Sequence, residues 1–319
     1  MKVSKKPRVV FMGTPDFAVP TLRMLAREVD LRGVVTNPDR RCGRGRRLLA
    51  PPVKTVAQDL GVPIFQPKSL KKEESLAWLR GHEPDLFIVV AYGTILRREA
   101  LKIPSVGCLN VHASLLPKYR GAAPIQWALI NNERKTGVSI MVMDEGMDTG
   151  PVLSQREESI QQDDNVTSLS HRLSLLGAEL LSETLNRAAT ETLTPEPQRD
   201  NEATRAPMLE KCDGRVDWTQ SAEEVAGRIR GTDPWPGGYT CWKGRRLKLF
   251  HPHVVDGQGR PGEVLGVKSA ELTIACGRDA VAVAEMQMPG KRRMEARCVL
   301  TGCPIPRGTV LGQGEVQGS

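Results

Sequence analysis

Apolar residues in the first half of the chain fall in short β-branched runs separated by amphipathic stretches. "RVVFMG" (8–13) predicts a first strand, Pro20–Glu28 a helix with Leu22, Leu25 and Ala26 on one face, and "DLRGVVT" (30–36) a second strand. "VKTVAQDLG" predicts a helix ending on Gly61, "VPIFQ" (62–66) a short strand, and the stretch up to Gly81 another helix. "DLFIVVAYG" (85–93) is apolar throughout, as a strand buried on both faces must be, and "VGCLNVH" (106–112) and "GVSIMVMD" (137–144) continue the sheet. The alternation in "PVLSQREESI" (151–160) predicts an antiparallel strand near the sheet edge. Strands alternating with helices predict an α/β fold with a doubly wound, mostly parallel, Rossmann-like sheet.

From Asn165 to Arg187, Val166, Leu169, Leu173, Leu176, Leu180 and Leu185 recur at helical steps behind an Asp-Asp-Asn cap signal, predicting one long amphipathic helix. The periodicity then fades in "AATETLTPEPQRDNEATRAP" (188–207), which reads as a linker or surface tether. After a helix at "SAEEVAGRIRG", the runs "RRLKLFHPHVV", "GEVLGV", "ELTIACG" and "AVAVAEMQM" predict a small antiparallel barrel or sandwich. The expected division is a first, larger domain over 1–188, a linker over 189–206 and a second, smaller domain over 207–319.

Composition narrows this picture. A chain of 319 residues favours two domains, and no apolar run approaches the roughly 18 residues of a membrane span. The basic start "MKVSKKPRVVFMG" has no small-residue cleavage site, so no signal peptide is expected. Seven cysteines without CxxC spacing suggest reduced thiols in the cytoplasm and no zinc site. The net charge of +8 is concentrated: residues 37–54 hold Arg40, Arg41, Arg44, Arg46, Arg47 and Lys54 against Asp39. Such a run suits a polyanionic partner, or is a solvated face.

The candidate chemistry lies at the end of "VGCLNVH". Side chains at i and i+2 of a strand share a face, so Asn110 and His112 project together, at the carboxyl edge where open α/β sheets place ligands. The following strand leads to "EGMDTGP", which offers Asp148 on a glycine-flanked loop. A structural histidine and a turn-forming aspartate are the plain alternative. "GTPDFAVP" after the first strand lacks the G-x-G-x-x-G of a dinucleotide site. No nucleophile elbow or H-E-x-x-H is present either, which leaves covalent acyl-enzyme and zinc mechanisms without support. An amide, an imidazole and a carboxylate fit direct acyl or one-carbon transfer, with the amide donating to a developing oxyanion.

"GTPDFA", "NPDR…GRGRRLLAPPVK", "VVAYG", "GCLNVHASLLPKYRGAAPIQWALI" and "MDEGMDTGPVL", in this order and spacing, resemble the methionyl-tRNA branch of the formyltransferase family. "GRVDWTQSAEEVAGRIRGTDPWPGGYT" resembles the start of that family's OB-like carboxy-terminal domain. The resemblance implies an Asn, His and Asp trio, here Asn110, His112 and Asp148, acting on 10-formyltetrahydrofolate as co-substrate, without a metal. It implies a folate site lined by Ser114, Leu115, Leu116 and Pro117 near Ala91, Tyr92 and Gly93. The acceptor would be initiator methionyl-tRNA, met by the arginine loop, and the expected enzyme is a cytoplasmic monomer. Further basic clusters, Lys243, Arg245, Arg246 and Lys248, and Lys291, Arg292, Arg293 and Arg297, could track the tRNA backbone or form a solvated face. A small-molecule formyltransferase, a formyltetrahydrofolate hydrolase and a catalytically idle tRNA-binding protein stay open at this point.

Overall fold

The computed structural model describes residues 1–42 and 47–314. They divide into two compact units: Met1–Pro124, Lys135–Ser159 and Ser170–Pro207 form the first, and Ile125–Arg134, Ile160–Leu169 and the chain from Met208 the second.

The first unit is built on a seven-stranded sheet. Its strands are β1 (Arg8–Gly13), β2 (Asp30–Val35), β5 (Ile64–Phe65), β6 (Leu86–Val90), β7 (Gly107–His112), β8 (Lys135–Val142) and β9 (Val152–Ser159), in the order β5-β2-β1-β6-β7-β8-β9. The other two strands, β3 (Arg40–Cys42) and β4 (Arg47–Leu49), form a separate antiparallel ribbon, so part of the stretch expected as a loop is paired. Helices α1 (Val19–Glu28), α2 (Pro52–Asp59) and α3 (Glu73–Gly81) make the crossovers between parallel strands, with the short α4 (Arg98–Leu101) between β6 and β7. Val9, Val10, Phe11 and Met12 of β1 are wholly buried, and so is all of β6, the two-sided burial their unbroken apolar sequence requires.

The sheet stops being parallel at β8. Its register against β7 runs from Leu109↔Val142 to His112↔Ser139, so β8 travels back down the strand that carries Asn110 and His112. β9 is antiparallel to β8 at the edge, as its alternation predicts. The segment expected as a linker is tied to this unit by its backbone. Glu196 and Val152 exchange both of their main-chain hydrogen bonds at 2.8 Å, and Ala206 N–H donates to the Arg120 carbonyl at 2.8 Å.

The second unit carries a curled antiparallel sheet of β10 (Tyr239–Trp242), β11 (Arg245–Val255), β14 (Ala280–Gln287), β13 (Glu271–Ala275) and β12 (Val264–Lys268), with β15 (Met294–Glu295) paired to β14. This is an OB-like half-barrel, as predicted. Its core gathers Trp218, Ile229, Leu247, Leu249, Leu272, Ile274 and Val281. The buried Trp218 indole N–H donates to Thr240 Oγ1 at 3.0 Å, which satisfies the ring's one polar atom. The remaining α-helices among the described residues are α5 (Pro124–Ile130), α6 (Val166–Thr190), α7 (Ala222–Thr232) and α8 (Ala296–Gly302). Helix α7 (Ala222–Thr232) starts on a reciprocal cap, in which Ser221 Oγ accepts from Glu224 N–H and Glu224 accepts from Ser221 N–H.

Candidate active site

Strand β7 presents Asn110 and His112 on one face, the imidazole 5% exposed. Their partner does not come from a parallel neighbour. Because β8 runs antiparallel, the chain leaves the sheet beside Cys108, whose carbonyl accepts from Met143 N–H at 2.8 Å. The loop of residues 143–151 must therefore fold back over β7 to bring Asp148 to the two side chains. It does so with Asp148 at φ 55° and with Asp144 accepting hydrogen bonds from Gly146 N–H and Thr149 Oγ1. Gly150 closes the turn. A Cβ there would lie 1.9 Å from the Val142 carbonyl oxygen, so only glycine fits.

The Asp148 carboxylate accepts from Asn110 Nδ2 at 3.3 Å and from Gly121 N–H at 2.9 Å. His112 Nδ1 stands 3.7 Å from Asp148 Oδ2, an ion-pair distance rather than a hydrogen bond. The other ring nitrogen, Nε2, lies 3.0 Å from the Tyr119 carbonyl oxygen. The trio is thus held in a polar cage that includes two main-chain groups of the turn after β7. Asn110 keeps one amide hydrogen that the carboxylate does not take.

Ser114 and Leu116 are buried, with Ser114 Oγ donating to the Lys118 carbonyl at 2.6 Å and Leu116 N–H donating to Ser139 Oγ at 3.0 Å. Leu115 reaches Gly137 of β8, where a Cβ would meet its Cδ2 at 2.6 Å. This stretch therefore works first as a packed turn, with Leu115 and Pro117 the more accessible pair. Ala91, Tyr92 and Gly93 follow β6 directly, and β6 pairs Val89 with Asn110, which sets them just past the level of the trio. Ala91 at φ 45° and Gly93 at φ 75° leave exposed backbone there. Tyr92 is buried, its phenol pushed up to about 12 by desolvation, and its carbonyl accepts from Asn37 Nδ2 at 3.0 Å.

Arg40 and Arg41 are exposed on β3 and Arg47 begins β4, while Arg44 and Arg46 lie outside the described residues. Asp39, the single acidic residue of that stretch, is bound by Lys54 at 2.7 Å and by Gln66 at 2.8 Å. Those bonds hold its carboxyl below the usual range. Of the second-unit clusters, Arg293 bonds Asp233 at 2.9 Å and lies over the Phe250 ring, and Lys248 donates to the Pro236 carbonyl. Lys243, Arg245, Lys291 and Arg292 remain exposed. No group of residues suited to hold a metal occurs among the described residues.

Sequence reasoning missed Gly121, Tyr119, Arg120 and Gln198. The first two act through the main chain. Gln198 donates to the Asp148 carbonyl at 2.8 Å and the Gly150 carbonyl at 2.7 Å from a segment without periodicity.

Comparison with known proteins decides the family. Residues 7–185 match the formyl transferase family and residues 208–304 the formyl transferase C-terminal domain. A methionyl-tRNA formyltransferase of Geobacter metallireducens is 47% identical over 95% of this chain and 98% of its own length. The chain belongs to the methionyl-tRNA formyltransferase family. Another member of this formyltransferase family, from Caldanaerobacter subterraneus, is 48% identical over 95% of this chain and 99% of its own. Among solved structures, HypX of Aquifex aeolicus with tetrahydrofolic acid aligns at a TM-score of 0.64 and 20% identity. That alignment covers 93% of this chain and 47% of HypX, so the present chain spans about half of that protein. The N-formyltransferase of Helicobacter canadensis, in complex with folinic acid and dTDP-3-aminofucose, aligns at 0.65 and 17% identity over 89% of this chain and 99% of its own. At these identities the structures show the shared fold.

Proposed function

We propose that this formyltransferase moves a formyl group from 10-formyltetrahydrofolate to the free α-amino group of initiator methionyl-tRNA, giving N-formylmethionyl-tRNA for translation initiation. The observation that carries the reading is the convergence of Asn110, His112 and Asp148 on one face of β7 in a chain whose full-length relatives bear the methionyl-tRNA formyltransferase name.

The neutral amine attacks the formyl carbon on N10 of the folate, the new C–N bond forms, and the carbonyl π pair moves onto oxygen. Asn110 donates its remaining amide hydrogen to that oxyanion. The amine loses a proton through His112, N10 gains one, and the C–N10 bond breaks to release tetrahydrofolate and the formamide. An α-amino group titrates near 7.7–8.0, so a usable neutral fraction exists without a strong base. Asp148 orients the pair and balances positive charge on the imidazole. Ala91 to Gly93, with Ser114 to Pro117, form the folate wall, and Arg40, Arg41, Arg44, Arg46 and Arg47 contact tRNA. The same reading makes the protein a cytoplasmic monomer.

The test offers charged initiator and elongator tRNAs with the formyl donor and follows formylmethionine. Formylation of the initiator is expected; folate release without tRNA would instead indicate a hydrolase. Asn110→Ala should lower kcat by on the order of 10²–10³, the usual cost of one oxyanion donor. A variant within a few-fold of wild type would remove Asn110 from this role.

A further inference from the structure

We infer that Gln198, outside the trio, is a positioning residue that fixes the backbone of the Asp148 loop; the inference rests on the proposed role of Asp148. The loop is held in an uncommon shape. Asp148 sits at a positive φ without being glycine, and its carboxylate must meet Asn110, Gly121 and His112 together. The carbonyls of Asp148 and Gly150, two residues apart, face one point. The Gln198 amide occupies it, Nε2 donating to both, at 2.8 Å and 2.7 Å.

The amide cannot flip without losing three bonds. Its Oε1 accepts from Arg120 Nε at 2.9 Å, and the guanidinium can only donate, so the NH₂ end is obliged to face the loop. Arg120 is itself anchored: its NH2 group donates to Asp200 at 2.8 Å, and its backbone bonds both Thr204 and Ala206. It is also the neighbour of Tyr119 and Gly121, the two main-chain contacts of His112 and Asp148. One chain of bonds therefore joins the turn after β7, the 198–206 segment and the Asp148 loop. Gln198 touches no reacting group and acts through Asp148.

Gln198→Glu separates this role from simple anchoring. A carboxylate keeps the acceptor for Arg120, and the segment stays tied, but it turns oxygen toward two carbonyl oxygens. The expected result is a folded enzyme with kcat lowered by up to about 10²-fold, the scale of a 1 Å misplacement, and KM for tRNA within about twofold. Gln198→Leu, which removes donors and acceptor alike, should fall at least as far. In an Asp148→Asn background, either change should cost less than about twofold more, because residues acting as a unit are not additive. Wild-type kcat in Gln198→Glu would overturn the inference while leaving Asp148 in place. So would an equal loss in both backgrounds, which marks a general structural role. Wild-type turnover by Asp148→Asn alone would overturn the trio first and this inference with it.

Discussion

His112 shows how a single side chain is committed by its surroundings. Its Nε2 faces the Tyr119 carbonyl, which can only accept, so the neutral ring must carry its proton on Nε2. Nδ1 is then the nitrogen free to take a proton, and it is the one that faces Asp148. In the proposed reaction the amine's proton arrives on Nδ1, where the carboxylate can balance the charge. ¹⁵N spectra of histidine-labelled protein should show the neutral His112 ring as the Nε2–H tautomer; an Nδ1–H ring would contradict this assignment. The types and spacing of Asn110, His112 and Asp148 were readable from sequence because side chains carry the signal. Tyr119 and Gly121 were not, since a carbonyl and an N–H have no residue signature. Gln198 was hidden for a different reason. One polar residue in an aperiodic stretch looks like any other until its partners are known.

The secondary elements were legible wherever apolar periodicity was strong, as in β1, β6 and the long α6. Direction was not. "GVSIMVMD" reads the same whether it runs up or down the sheet, and only its register with β7 shows that it descends. The Asp148 loop therefore sets out from the opposite end of β7 and folds back to reach Asn110 and His112. Short elements such as α5 and β15 escaped because about two turns or one pair of residues has too little period to read. The parallel join of β1 to β6 has a polar fastening at its start. Arg8 N–H and its guanidinium both donate to Asp85, and Ser105 Oγ adds a third donor. The Arg8 bond, more than any other contact, pulls the Asp85 carboxyl down to about 2, against a smaller opposing cost of burial. A depressed carboxyl stabilises the fold above its ordinary range and loses that contribution as pH falls through about 2. Asp85→Asn should thus unfold at lower denaturant concentration than wild type at neutral pH. The gap should shrink as pH is lowered from 4 toward about 2, and a gap constant with pH would remove the ionic fastening.

At the scale of the whole molecule, charge and chain path matter most. The net +8 is not spread evenly, and the β3–β4 ribbon presents Arg40 and Arg41 to solvent while Asp39 is occupied by Lys54. Replacing both arginines with glutamine should weaken tRNA binding and flatten its dependence on salt by up to about one log–log unit per charge. Folate binding should be spared. Filter binding across a salt series measures the first and fluorescence titration the second; an unchanged slope would free the ribbon from tRNA contact. The second unit has a different lesson in its path, because it borrows residues 125–134 and 160–169 from before Met208. Helix α7 is shaped for them. A Cβ on Gly227 would strike Asn132 at 2.4 Å and one on Gly231 would strike Ile130 at 2.6 Å, while Arg230 bonds the Asn132 side chain and the Gln161 carbonyl. A gene fragment beginning at Met208 would encode that helix with its glycine groove bare and its arginine stranded. The half-barrel is therefore not a module that recombination could lift out with one cut: to travel intact, it must take with it two stretches of sequence written inside its neighbour.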